Sequence, residues 1–131
     1  MAAVLLDTTT LVDLLRGRPG ARRRLLGLRD RGDTPYVCAV NVEEITRGLR
    51  PSEEEAAASL FEGLRLAPLG KSEGHRAGEW RRAYAKRGRT LTQADCLVAA
   101  AALSVRGRLA TGNARDFPMD ELEVEHWPAG E

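Results

Sequence analysis

The stretch Val4-Leu5-Leu6-Asp7-Thr8-Thr9-Thr10-Leu11-Val12 constrains the fold of this chain more than any other. A short apolar run stops at an acid, and hydroxyl residues and a helical apolar pattern come at once after it. An apolar run without alternation reads as a strand buried on both faces, as in a parallel sheet. In open α/β sheets the ligand site lies beyond the carboxyl ends of the strands. Asp7 stands at such an end. A helix cap is the plainer explanation, because Asp and Thr both start helices well.

Three more acids occupy comparable positions. Thr34-Pro35 marks a turn, and Tyr36–Val40 reads as a second short buried strand. Asn41 then reads as the N-cap of a helix running through Ile45 and Leu49. Glu44 falls in the N3 position of a capping-box spacing, and Glu43 faces about 100° away from it. Leu91–Leu103 opens with Thr92, with Asp95 three residues later. The residues after Asp95 are almost wholly apolar and Ala-rich, so this helix is expected to be buried on most sides. An acid in its first turn needs a partner or a metal, since an unpaired buried charge is costly, while the helix N-terminus favours the ionised form. Arg108–Thr111 reads as a strand after a helix stop at Gly107. Asn113 and Asp116 lie in the loop that leaves it, where Asp and Asn are also common turn formers.

Together the four acids form a constellation. Each comes at the C-terminal end of a strand or in the first turn of the helix after it, and a doubly wound fold brings such points to one crevice. Carboxylates gathered there must protonate or be neutralised by a divalent cation. Oxygen-only ligands suit Mg²⁺ or Mn²⁺. His75 and His126 lack metal-ligand spacing and the two cysteines are distant, so zinc has no support.

At 131 residues, with 43% hydrophobic and 30% charged content, the chain is expected to be one globular domain over residues 1–131. No apolar stretch approaches the ~20 residues of a membrane span, and no export signal is evident, so a cytoplasmic location without membrane contact is expected. Cys38, placed on a strand, and Cys96, placed in a helix, read as reduced core thiols. Leu11, Leu14 and Leu15 form a helical stripe ending at Gly17, and Pro19 opens a second helix. Ser52–Glu55 reads as a capping box for a helix through Leu60, Phe61 and Leu64. Leu64–Leu69 alternates and contains Pro68, as an edge strand does. Lys71–Arg87 reads as a helix, and a last short strand lies within Glu121–Trp127.

All but Lys71 and Lys86 of the 20 basic residues are Arg. One cluster is Arg22-Arg23-Arg24; another is Arg81, Arg82, Lys86, Arg87 and Arg89, directly before the Asp95 helix. The Arg fork matches phosphate, and a basic rim around an acidic metal centre suits a polyanionic substrate. Basic runs are also ordinary solvated helix faces. Trp80, Tyr84 and Trp127 are too scattered for base stacking and read as packing residues.

Leu6-Asp7-Thr8-Thr9, Val42–Gly48, Thr90–Ala101 and Leu109–Phe117 resemble, in order and spacing, the four blocks of PIN-domain ribonucleases. The nearest resemblance is to the small toxins of VapBC-type toxin–antitoxin pairs, and it covers essentially the whole chain. It implies a three-layer α/β/α PIN-like fold with a central, mainly parallel sheet of four to five short strands. It also implies that Asp7, Glu44, Asp95 and Asp116 are an acidic quartet for one or two Mg²⁺ or Mn²⁺ ions. Thr8, Thr9, Thr111 and Asn113 would be the polar residues around it. The implied activity is endoribonucleolytic hydrolysis of RNA. Glu44 completes the metal shell or positions a water, and Arg81, Arg82, Lys86, Arg87 and Arg89 contact the RNA. A homodimer and a cognate antitoxin covering the site are implied as well. Some members place the fourth acid where this chain has Asn113. Here either Asp116 supplies that charge or the site works as a triad of Asp7, Glu44 and Asp95.

Other classes fit less well. A receiver domain wants two adjacent acids after the first strand, and Asp7 is followed by Thr8. A haloacid-dehalogenase-like phosphatase wants Asp-x-Asp, and position 9 is Thr. A non-catalytic PIN-like module binding RNA or a partner is the main alternative, which intact acids disfavour.

Overall fold

The first strand, β1 (Ala3–Leu6), divides the interior in two. All its core residues are apolar, yet Val4 and Leu6 pack into one core and Leu5 into the other. The same division recurs on β4 (Arg108–Thr111), where Ala110 joins the first core and Leu109 the second. Successive strand side chains point to opposite faces, so two apolar faces demand a helical layer on each.

A computed structural model describes all 131 residues and supplies those layers. After β1 come α1 (Thr8–Leu15), α2 (Pro19–Asp30), β2 (Thr34–Val37), α3 (Ala39–Gly48), α4 (Glu54–Glu62) and β3 (Arg65–Leu66). Next are α5 (Lys71–Ala85), α6 (Gln93–Ser104), β4 and β5 (Val124–His126). The sheet runs β3-β2-β1-β4-β5 with every pair parallel. Leu11, Leu28, Ile45 and Ala57, from α1 to α4, fill the core with Val4 and Leu6. Ala77 and Trp80 of α5 and the small residues of α6 fill the core with Leu5. The result is a three-layer α/β/α fold whose sheet is wholly parallel with five strands.

The strand order reverses at β1. The chain first adds β2 and β3 on one side, then crosses back through α5 and α6 to lay β4 and β5 on the other. The topological switch point therefore falls between β1 and β4, where ligands bind in such sheets. Cys96, Val98 and Ala99–Ala102 of α6 are buried, as its composition predicts.

Several local expectations are corrected. Thr34 and Pro35 are not a turn but open β2, paired with Ala3 and Val4. Pro35 is tolerated because β3 pairs only with Tyr36 and Val37, so no ladder bond is lost there. The strand ends at Val37, and Cys38, not Asn41, is the N-cap of α3. Cys38 is thus not a strand residue, and Glu44 lies in the second turn rather than at N3. Ser52 opens no capping box: Pro51–Glu53 is a 3₁₀ turn in which the Glu53 carboxylate accepts the Arg50 N–H at 2.9 Å. The helix after it stops at Glu62, short of Leu64. The third strand shrinks to two residues, and α5 ends at Ala85 rather than Arg87.

Gly107 is needed for space rather than for helix termination. The left-handed residue after α6 is Arg106 (φ 55°), whereas a Cβ on Gly107 would meet the Ala3 carbonyl oxygen at 2.7 Å. Backbone on a central strand does not yield cheaply. Gly107→Ala should destabilise the chain by about 1–3 kcal/mol, the range for forced overpacking, read as a lower midpoint in urea unfolding with unchanged slope.

Candidate active site

Asp7 leaves β1 at the switch point and stands at the N-cap of α1, yet its side chain makes no capping hydrogen bond. It turns instead across the sheet. Thr111, the last residue of β4, donates its hydroxyl to Asp7 Oδ2 at 2.7 Å. The Thr111 oxygen in turn accepts the Asn113 N–H at 3.0 Å. Asp7 is only 6% exposed. Burial pushes its carboxyl up to about 6, against the pull of hydrogen bonds from Thr111 and the Thr8 backbone and with help from the charges of Asp95 and Glu44.

Glu44 enters from α3. Its Oε1 accepts the Thr8 hydroxyl at 2.7 Å. Thr8 is fixed from behind by Asn41, whose Nδ2 donates to its oxygen at 3.1 Å. The Asn41 Oδ1 accepts the Cys38 N–H, also at 3.1 Å. Glu43 points elsewhere, to Arg47 at 3.1 Å on the surface.

Asp95 lies half-buried in the first turn of α6. The cap there is Thr92, whose hydroxyl accepts the Asp95 N–H at 3.1 Å, as its position in the sequence foretells. The Asp95 carboxylate is thereby left free of capping duty. Burial raises its pKa, the Thr92 bond lowers it, and the charges of Asp116 and Glu44 raise it further.

The four acids thus reach one another electrostatically, with Asp7, Glu44 and Asp95 innermost. Asp116 sits at the rim. It ends a 3₁₀ turn, is exposed, and its carboxylate takes no hydrogen bond from the protein. Asn113 is exposed too and engages Thr111 only through its backbone. Thr9 accepts the Gly112 N–H at 2.9 Å and so ties α1 to the start of this loop. Asn41, fully buried, is the residue whose part in the site is not legible from sequence. Its place before Glu44 reads as a cap, and its link to Thr8 spans 33 residues.

The basic set divides. Arg81 donates to the Leu91 carbonyl at 3.1 Å and Arg89 donates to the Arg115 carbonyl. Arg87 stacks over Tyr84 at 4.6 Å from the ring centre. Arg82 and Lys86 are exposed without such ties. Tyr84 also donates to the Pro118 carbonyl at 3.0 Å, and Trp80 Nε1 to Glu121 at 2.9 Å. The segment from α5 to α6 therefore braces the loop that carries Asp116. Trp80 and Trp127 are packing residues, as expected, and both cysteines are free thiols.

The donor set fits a hard divalent cation. Asp7, Glu44, Asp95, Thr8 and Thr111 all offer oxygen, and a buried Asp7 whose carboxyl is raised to about 6 is what a cation would relieve. The carboxylates are not drawn into a closed chelating cluster: no three His, Cys, Asp or Glu side chains gather tightly enough to hold an ion outright. The site is a set of separate oxygens around a crevice.

A doubly wound sheet with carboxylates at its switch point defines a class of acidic-site α/β domain. The PIN domain family matches residues 4–121, and the chain belongs to it. Ribonuclease VapC19 of Mycobacterium tuberculosis is 33% identical over 115 residues, which are 88% of this chain and 92% of that protein. Ribonuclease VapC10 of the same organism is 31% identical over 118 residues, 90% of this chain and 88% of its own length. Among solved structures, DNA-bound VapBC from Salmonella typhimurium superposes with a TM-score of 0.83 at 21% identity, covering 97% of this chain and 99% of that one. VapBC2 from Rickettsia felis gives 0.80 at 19% identity, covering 95% and 98%. No helix is long and apolar enough to cross a membrane.

The raised Asp7 carboxyl makes the site a cost to the metal-free fold. Its folded value of about 6 lies above the ordinary 3.8, so between those values the folded chain binds more protons and stability falls as pH rises. Asp7→Asn keeps an acceptor for Thr111 and removes the charge. The variant should be more stable than the parent at pH 7.5 by up to ~3 kcal/mol, with the gain vanishing below pH 4. Urea unfolding without added metal, repeated across that range, checks both the sign and the window.

Proposed function

We propose that the chain is a divalent-metal-dependent endoribonuclease and the toxin of a toxin–antitoxin pair. One observation carries this: carboxylates from β1, α3 and α6 are turned toward the switch point, each with a threonine at hand, and burial raises the carboxyl of Asp7 to about 6. Membership of the PIN family and likeness to proteins named Ribonuclease VapC supply the substrate class.

Asp7, Glu44 and Asp95 would hold Mg²⁺ or Mn²⁺, one ion or two, and Asp116 adds negative charge at the rim. Such a cation, when bound, lowers the pKa of an attacking water and stabilises charge on the phosphate. The chain's own residues do the rest. Thr111 fixes Asp7, and Thr8 fixes Glu44 by one oxygen. The other oxygen is left to accept a proton from water as a general base. Thr9 and the Asn113 backbone hold the loop beside them. Arg82, Lys86 and Arg87 offer cations to the RNA backbone, while Arg81 and Arg89 act chiefly through the loops they brace.

The antitoxin reading rests on a groove between α1 and α3. Val12, Leu15, Ile45 and Leu49 line it together with Arg16, Glu44 and Glu53. An apolar segment of a partner laid there reaches the site. Likeness to solved toxin–antitoxin complexes supports this partner. Leu66, 65% exposed on the edge strand β3, and Leu26, 54% exposed on α2, favour a homodimer.

Asp95→Asn and Asp7→Asn should each lower RNA cleavage with Mn²⁺ by more than about 100-fold, beyond what loss of an outer partner costs, while thermal unfolding stays cooperative. Full activity in either variant overturns the assignment. Asp116→Ala should cost less than those two and more than Asn113→Ala, because a charge attracts a cation more than an amide does. The gap between these last two should narrow at high Mn²⁺.

A further inference from the structure

Asn41 is wholly buried, and all its polar atoms are committed. A backbone N–H can only donate, so the atom facing the Cys38 N–H at 3.1 Å is Oδ1. The Cys38 thiol lies at 3.1 Å from the same oxygen, and burial pushes that thiol up, so it stays protonated and donates as well. This settles the orientation of the amide. Nδ2 must face Thr8, and it donates to Thr8 Oγ1 at 3.1 Å. A hydroxyl has one proton. With an N–H already pointing at its oxygen, Thr8 sends that proton onward to Glu44 Oε1 at 2.7 Å. Glu44 is held by one oxygen, and its other oxygen takes no hydrogen bond from the protein.

We propose that Asn41 is a positioning residue for Glu44, acting through Thr8. The amide fixes which way the Thr8 hydroxyl points, and so holds Glu44 as an acceptor by one oxygen with the other left free. A helix cap alone needs only Oδ1. The second half of the amide, spent on a threonine of another helix, is what the cap does not explain. The inference rests on the nuclease reading of the crevice.

Asn41→Asp is the sharpest probe. It keeps the shape and the acceptor for Cys38, replaces the donor to Thr8 by a second acceptor oxygen and adds a buried acid; Thr8 then turns its proton toward the new carboxylate and releases Glu44. Thr8→Val cuts the same chain one link further on. Each should lower kcat for RNA cleavage about tenfold or more, as loss of an outer partner does, with KM within about twofold of the parent. The double variant should be no worse than the poorer single one, because the two act on one path. Should Asn41→Asp not fold, Asn41→Ser, too short to reach Thr8, carries the same comparison. Additive losses, as from a weakened cap, or undiminished kcat in the Asn41 variant, overturn the proposal. A second reading needs no activity. In a metal-free crystal structure of Asn41→Asp the Cys38 bond should persist while Glu44 leaves Thr8. Retention of that contact at its present length of 2.7 Å overturns it. If the parent cleaves no RNA, the nuclease reading fails and the crystal structure alone still decides the role of Asn41.

Discussion

The buried carboxylate of Asp7 is the constraint on which the site depends. It sits between β1 and β4 where the sheet changes direction, with little access to water. Taking an ion out of water costs more than one hydroxyl returns, and the carboxyl accordingly rises to about 6 despite the Thr111 bond. The metal-free crevice is thus in tension, and the surrounding fold must hold it. The two apolar faces of the sheet and the Ala-rich α6, packed against one of them without a polar side chain in its buried stripe, supply that hold. Enzymes place perturbed carboxylates where a ligand will neutralise them.

The fold delivers its acids by a common device. Helices between parallel strands run back along the sheet, so their first turns face the edge where strands end. Each inner acid has a threonine there. Thr111 donates to Asp7 and Thr8 to Glu44, while Thr92 takes over the capping of α6 and frees Asp95. Asp116 has no such partner and lies exposed. The arrangement grades the acids: three are fixed within the crevice, and the fourth contributes charge from its rim.

Features governed by local chemistry are legible in the sequence. The unbroken apolar run of β1, the Thr92 cap and the buried α6 come from composition and spacing over a few residues. The start of α3 is not legible. Cys38 is an unusual cap, and Asn41 one turn later looks like a better one, so sequence reasoning reaches Glu44 for a reason that does not hold. The orientation of Glu44 comes from Thr8, on another helix. The close approach of Gly107 to Ala3 hides in the same way, because it depends on a strand at the other end of the chain. The shortening of β3 to two residues also depends on packing, since its sequence alternates well enough for more.

The basic residues before α6 show a bracing role that sequence proximity does not reveal. Arg81 and Arg89 lie beside the acidic helix in sequence, and a phosphate contact is the natural reading. In the fold each guanidinium donates one hydrogen bond to a backbone carbonyl, of Leu91 and Arg115 respectively. Arg89 on Arg115, Tyr84 on Pro118 and Trp80 on Glu121 fasten the Arg115–Glu121 loop to α5 and the segment after it. The exposed Asp116 is therefore not a free loop residue. It is held near Asp95 by a framework that never touches its carboxylate, and Asp95 senses it there as a charge. The fourth acid is thus positioned through its backbone and the inner three through their side chains or caps. That difference in anchoring explains how one crevice combines three sheltered carboxylates with a fourth open to solvent.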